Sequence, residues 1–190
     1  MSDFLSEFLG NLGGDVSSKM GSNLGVDSSV IEKIIPAVAP MILGGLKKQS
    51  ETQGGQDRVD HILNKYGDQN VLGNLDELFN KKSSDPNPDP TLGGLLGNSG
   101  TQATDLISKA FNLDGSTAAK FITMLAPVIL GYITNKRDTQ GEGSTGIAAL
   151  LDRDGDGSVL DDVGGLLMNT LGKSDSGLGD ILGGLLGGNK

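Results

Sequence analysis

The chain has 190 residues, 24 acidic side chains against 15 basic ones for a net charge of −9, 31 glycines, one histidine and neither cysteine nor tryptophan. Without cysteine there is no disulfide framework, thiolate nucleophile or Cys-ligated zinc or iron–sulfur centre, and a single histidine cannot build a multi-histidine metal site. Two Tyr, five Phe and a net negative charge argue against nucleic acid, which calls for clustered Lys/Arg and aromatic platforms.

The first predicted element is a helix whose apolar stripe is Phe4, Leu5, Phe8, Leu9 and Leu12, spaced at i, i+1, i+4, i+5 and i+8. Val16, Met20 and Leu24 predict a second short helix that Gly25 ends. Asp27 then reads as the N-cap of the longest helix, with Ile31, Ile34, Ile35, Val38, Ile42 and Leu46 on its buried face. A proline falls inside that helix at Pro40 and predicts a kink or a split, because it removes a backbone hydrogen bond. Val59, Ile62, Leu63 and Tyr66 mark a further helix, and Leu72, Leu75, Leu78 and Phe79 another. Residues 83–90, with Pro86, Pro88 and Pro90 at alternate positions, read as a stiff, extended linker.

Beyond the linker the pattern starts again. An offset of 87 aligns residues 5–54 with 92–141 without a gap, and 17 of the 50 pairs are identical. Ala39-Pro40-x-Ile42-Leu43-Gly44 returns as Ala126-Pro127-x-Ile129-Leu130-Gly131, and Asp114 stands where Asp27 does. Asp114 therefore reads as the cap of a second long helix that buries Phe121, Ile122, Leu125, Ile129 and Ile133. After one inserted residue Gly67-Asp68 matches Gly155-Asp156, and Val71-Leu72 matches Val159-Leu160. No segment alternates with period two, so the expected fold is all-α and multihelical, in two tandem copies of a roughly 80-residue unit. The expected divisions are a first repeat at 1–82, the linker at 83–90, a second repeat at 91–171 and a Gly/Leu-rich tail at 172–190.

One motif carries chemistry. Asp152-Arg153-Asp154-Gly155-Asp156-Gly157-Ser158 opens like an EF-hand loop. Aspartates at loop positions 1, 3 and 5 converge their oxygens, glycine at position 6 makes the turn, and the carbonyl at position 7 adds a ligand. Such hard oxygen donors suit Ca²⁺. The loop, 152–163, departs at its end, where position 12 is Val163 rather than a bidentate Glu. Asp161 or Asp162 is then the residue available to close the shell. The expected metal ligands are Asp152, Asp154, Asp156, Ser158, Asp161 and Asp162, with a plain Asp/Gly-rich connector as the competing reading. The first copy's equivalent, residues 64–70, keeps the turn but only Asp68 of the three acids. Five carboxylates in eleven residues repel one another unless a cation sits among them. A lone loop without the closing Glu implies weak affinity, about 10⁻⁴–10⁻³ M.

Other signals are bland. Residues 141–146 fit G-x-G-x-x-G, but no strand precedes them and Glu142 would repel a phosphate. His61 lies on a predicted helix without a nucleophile-elbow pattern, so it reads as a structural histidine and no enzyme is expected. In the tail, Leu178, Ile181, Leu182, Leu185 and Leu186 trace a helical face that reads as a glycine-weakened cap on the second copy. The sharper alternative takes Gly179, Gly183 and Gly187 as a close-packing seam for self-association, or for membrane contact through 178–188.

The Ala-Pro-x-Ile-Leu-Gly element in both long helices, with Leu-Gly-rich flanks and two tandem copies, resembles the YidB-like bacterial proteins, and within them the domain of unknown function 937 family. The resemblance implies a multihelical bacterial protein with no established activity and lends no catalytic residues. The N-terminus reads as no secretory leader. The most apolar stretch, 30–46, is 17 residues long and contains Glu32, Lys33, Pro36 and Pro40, short of the ~20 apolar residues of a membrane span. Cytoplasmic residence is the resulting expectation, with export by an unconventional route as the way to reconcile a weak calcium loop with low cytosolic calcium. The expected role is a calcium-binding interaction or assembly module, through a protein partner or self-association and not through nucleic acid.

Overall fold

A computed structural model describes residues 2–140. Helix α1 (Ser2–Phe8), a π-helical turn (Leu9–Gly13) and α2 (Gly14–Leu24) follow one another without a break. Two short helices were expected there; the wider π turn joins them into one helical run. It keeps Leu5 and Phe8 on the same buried side as Val16 and Met20. Ser17 inside α2 satisfies its own burial by donating from Oγ to the Gly13 carbonyl at 2.6 Å. Gly25 ends the run in the left-handed conformation, φ +66°, and the Val26 N–H reaches back to the Gly21 carbonyl at 3.0 Å, the expected glycine stop.

Helix α3 (Ser28–Gln53) starts as the sequence predicts, with the Asp27 carboxylate accepting from the Ser29 N–H at 2.8 Å. Ile31, Ile34, Ile35, Val38, Ile42 and Leu46 are all buried. The expected split does not occur, since the helix continues through both Pro36 and Pro40. An interior proline costs roughly 3 kcal/mol, whereas each buried aliphatic side chain contributes about 1.5–3 kcal/mol. The isoleucines on both sides of the proline turn hold it against the core.

Helix α4 (Gly55–Tyr66), a 3₁₀ turn (Gln69–Gly73) and α5 (Leu75–Ser83) bury Val59, Ile62, Leu63, Leu75 and Phe79. Tyr66 departs from expectation. It is 38% exposed at the end of α4, where the Lys65 ammonium lies 5.1 Å from its ring centroid. The proline segment departs too. Instead of an extended spacer it folds into successive turns: Asp85 accepts from the Asn87 N–H, and Asp89 accepts from the Thr91 N–H, the Thr91 hydroxyl and the Gly93 N–H. Asx turns of this kind compete successfully with extended backbone.

Helices α6 (Asn98–Phe111) and α7 (Gly115–Gln140) complete the described residues, among which there is no strand. Asp114 caps α7 twice over, accepting from the Thr117 N–H at 2.9 Å and the Thr117 hydroxyl at 2.6 Å. Phe121, Ile122, Leu125, Ile129 and Ile133 are buried as predicted, and Pro127 again leaves the helix whole. α7 packs against α2, α3, α4, α5, α6 and the 3₁₀ turn. Buried side chains from Leu5 to Ile133 form a single core, so the two segments related by the offset of 87 interleave within it.

Both long helices have the length and composition to cross a membrane, because each runs for 26 residues rather than the 17 of the apolar stretch 30–46. Within the protein, 83% of the most apolar window of α7 and 61% of that of α3 are buried. Core helices meet the same length criterion.

Candidate functional site

The expected ligands Asp152, Asp154, Asp156, Ser158, Asp161 and Asp162, and the tail segment 178–188, lie outside the described residues. Their counterpart in the first half does not. There Gly67 is pressed onto α7: a Cβ at Gly67 would lie 2.8 Å from the Leu130 carbonyl oxygen and would also meet the Thr134 hydroxyl. The next residue, Asp68, accepts from the Asn70 N–H at 2.9 Å and from Asn70 Nδ2 at 2.8 Å. This carboxylate starts the 3₁₀ turn by capping it with these two hydrogen bonds. Among the described residues no three His, Asp or Glu side chains are grouped to hold a metal ion.

A polar cluster sits instead where the last two turns of α7 meet α1, α4 and the 3₁₀ turn. The Arg137 guanidinium donates from Nη1 to Asp60 at 3.1 Å, from Nη2 to Asn64 at 3.0 Å and from Nε to Asp138 at 2.9 Å. Asn135 donates to Gln69 at 3.2 Å, and Lys136 pairs with Glu7. The hydrogen bond from Lys136 holds the Glu7 carboxyl below its ordinary range. Tyr132 accepts from Asn11 at 3.1 Å, and burial pushes its phenol up. Sequence reading missed this cluster because all of its pairs except Arg137–Asp138 are 66 to 129 positions apart. The usable signal was the polar run 134–137 at the end of an apolar helix. The cluster ties helices together through fork-like arginine pairing. His61 is exposed on α4.

The family model described as a bacterial protein of unknown function (DUF937) matches residues 6–137 and again residues 134–190. The chain belongs to this family. The two matches together take in the helical core, the acidic loop and the tail. Neither a curated protein nor a solved structure matches the chain.

Proposed function

We propose that this DUF937 protein is a non-enzymatic interaction or assembly module, built from two copies of one helical unit, whose second copy binds calcium at 152–163. What supports the duplication is the recurrence of backbone detail at the same offset of 87 as the sequence match. Val26 N–H to Gly21 carbonyl at 3.0 Å pairs with Leu113 N–H to Ser108 carbonyl at 3.1 Å. Ile31 N–H to Asp27 carbonyl at 3.2 Å pairs with Ala118 N–H to Asp114 carbonyl at 3.0 Å.

The observation that carries the calcium reading is the contrast between 64–70 and 152–158. In the first segment one aspartate serves the turn; in the second, aspartates occupy positions 1, 3 and 5 of an EF-hand opening. A turn that one aspartate caps has gained carboxylates it does not need for that cap. Isothermal calorimetry of the full chain tests this: calcium is expected to give saturable heat with Kd of about 10⁻⁴–10⁻³ M. Asp152→Ala/Asp156→Ala is expected to abolish it. A wild-type chain that gives no heat with calcium overturns the reading.

A further inference from the structure

The two long helices correspond residue for residue, yet their outer faces are covered unequally. On α7, Met124, Val128, Gly131 and Thr134 are buried, and the segment 55–83 packs on this helix with Gly67 against Thr134 and with Asp68 and Val71 against Gly131. A Cβ at Gly131 would lie 2.9 Å from the Asp68 carbonyl oxygen and 3.0 Å from Val71 Cγ2. The matching residues of α3 are Ala37, Met41, Gly44 and Lys47. Met41, Gly44 and Lys47 are only half-buried, and among the described residues a Cβ at Gly44 would have nothing within 4 Å. Among the described residues the same glycine is therefore a tight seat on one helix and uncovered on the other.

The existing packing is reciprocal. Phe8 of α1 sets its ring edge-on to Tyr132 of α7, centroids 5.4 Å apart. At the offset of 87 their counterparts are Leu95 and Gly45, and these also meet: a Cβ at Gly45 would lie 3.4 Å from the Leu95 carbonyl oxygen. Glu7 pairs with Lys136, while their counterparts, Gly94 and Gln49, share a hydrogen bond of 3.3 Å from Gln49 Nε2 to the Gly94 carbonyl. The first copy thus rests on the long helix of the second, and the second on the long helix of the first. By that rule the cover on α7 from 55–83 has a counterpart for α3, namely residues 142–171, which follow α7 directly.

We infer that residues 142–171 of the same chain dock across this face of α3, with Gly155, Asp156 and Val159 over Gly44. This inference rests on the two-copy reading and not on calcium. Composition fits the seat. The five side chains that 55–83 buries, Val59, Ile62, Leu63, Leu75 and Phe79, have Ile147, Leu150, Leu151, Val163 and Leu167 as their counterparts after the one-residue insertion. Charge fits as well. Where α7 carries Asn135, α3 carries the exposed Lys48, beside Lys47, which pairs with Glu51 at 3.6 Å; Lys48 is the cation offered to a loop with five aspartates in eleven residues. A lysine on the seat and a cation in the loop are two ways of relieving the same repulsion.

The chain has no cysteine, so introduced pairs report cleanly. In Gly44→Cys/Val159→Cys, the counterpart of the Gly131–Val71 contact, oxidation is expected to convert most of the protein to an intramolecular disulfide, whose Cβ atoms must approach within about 4.5 Å. Gly44→Cys/Val71→Cys is the control and is expected to stay reduced. A folded Gly44→Cys/Val159→Cys variant that stays reduced overturns the inference, and so does one that links only between chains, which would place a second copy on α3. Met41 in the unaltered chain provides a readout that needs no variant. Docking is expected to slow its peroxide oxidation on the order of tenfold relative to an unfolded peptide, as oxidation follows exposure. Oxidation at the peptide rate overturns the inference. Calcium heat without cross-linking sinks docking alone; cross-linking without calcium heat sinks the calcium reading alone.

Discussion

Residues 4–10 and 91–97 are counterparts in sequence and differ in backbone. The first stretch is helical and leads through the π turn into α2; the second is a string of turns before α6. Leu5, Leu9, Gly10 and Asn11 recur as Leu92, Leu96, Gly97 and Asn98, but Ser6-Glu7 is replaced by Gly93-Gly94. Leu92, Gly93 and Gly94 all adopt positive φ, and Asp89 gathers the Thr91 and Gly93 N–H groups beneath them. Two glycines remove helix propensity of roughly 1 kcal/mol each, and the aspartate offers the freed backbone another set of bonds. Even so, both stretches bring an apolar side chain to the opposite long helix. Tertiary partners are retained where local structure is not, because the core selects for a buried side chain at a position and is indifferent to the backbone that delivers it.

The largest expected effect comes from breaking that contact on its bulky side. Tyr132→Ala should lose about 3–5 kcal/mol, as for other buried aromatics, read by urea denaturation. Gly45→Ala, its counterpart, should cost less, about 1–2 kcal/mol, because its Cβ would meet the end of one buried side chain, Leu96 Cδ2 at 2.5 Å. If both variants unfold at similar urea concentrations, the two contacts are equivalent and the comparison fails.

The paired glycines Gly13 and Gly100 sharpen it next. A Cβ at Gly100 would run into Pro90, with its carbonyl carbon at 2.7 Å, whereas at Gly13 the nearest atom is Leu9 Cδ2 at 3.3 Å. Gly100→Ala should therefore cost about 2–3 kcal/mol against rigid backbone. Gly13→Ala should be near neutral or stabilising by up to about 1 kcal/mol through helix propensity. Thermal melts of the two variants should move by clearly different amounts, and parallel shifts would contradict the distinction.

A smaller contrast lies at the helix stops. Gly25 and Asn112 both take the left-handed conformation, at φ +66° and +51°. Gly25→Ala should cost about 1 kcal/mol, and Asn112→Gly should gain a few tenths.

The smallest effect is acid sensitivity. The hydroxyl of Ser29 first, then its N–H, lowers the Asp27 carboxyl; Thr117 does the same for Asp114, and the Thr91 hydroxyl followed by the Gly93 N–H lowers Asp89. Each is depressed in the folded state, so its contribution is complete above the ordinary aspartate value of about 4 and is lost as pH falls through the folded value. Circular dichroism should show the melting temperature falling below about pH 4. Asp114→Asn should flatten that fall more than Asp85→Asn, which caps no helix.

Much of the described fold was legible in advance. The caps at Asp27 and Asp114, the stop at Gly25 and the buried faces of α3 and α7 follow from short-range rules linking neighbouring residues. The prolines do not split their helices, because their local cost is real but smaller than the burial on either side of them. Tyr66 misled because spacing alone does not say where an amphipathic helix leaves the core. The proposed ligands Asp152, Asp154 and Asp156 were legible as a motif, whereas the Arg137 cluster was not, since its partners other than Asp138 are distant in the chain and share no spacing.

The sequence by itself determined the helical class, the family, the internal match at 87 and where the long helices begin. Only the tertiary structure decided that the matched segments interleave in one core, that Gly131 is a tight seat while no described residue covers Gly44, and that a π turn replaces an expected break. Capping and periodicity act over a few residues and are written in order along the chain. Which face is covered, and by what, depends on side chains brought together from its distant parts.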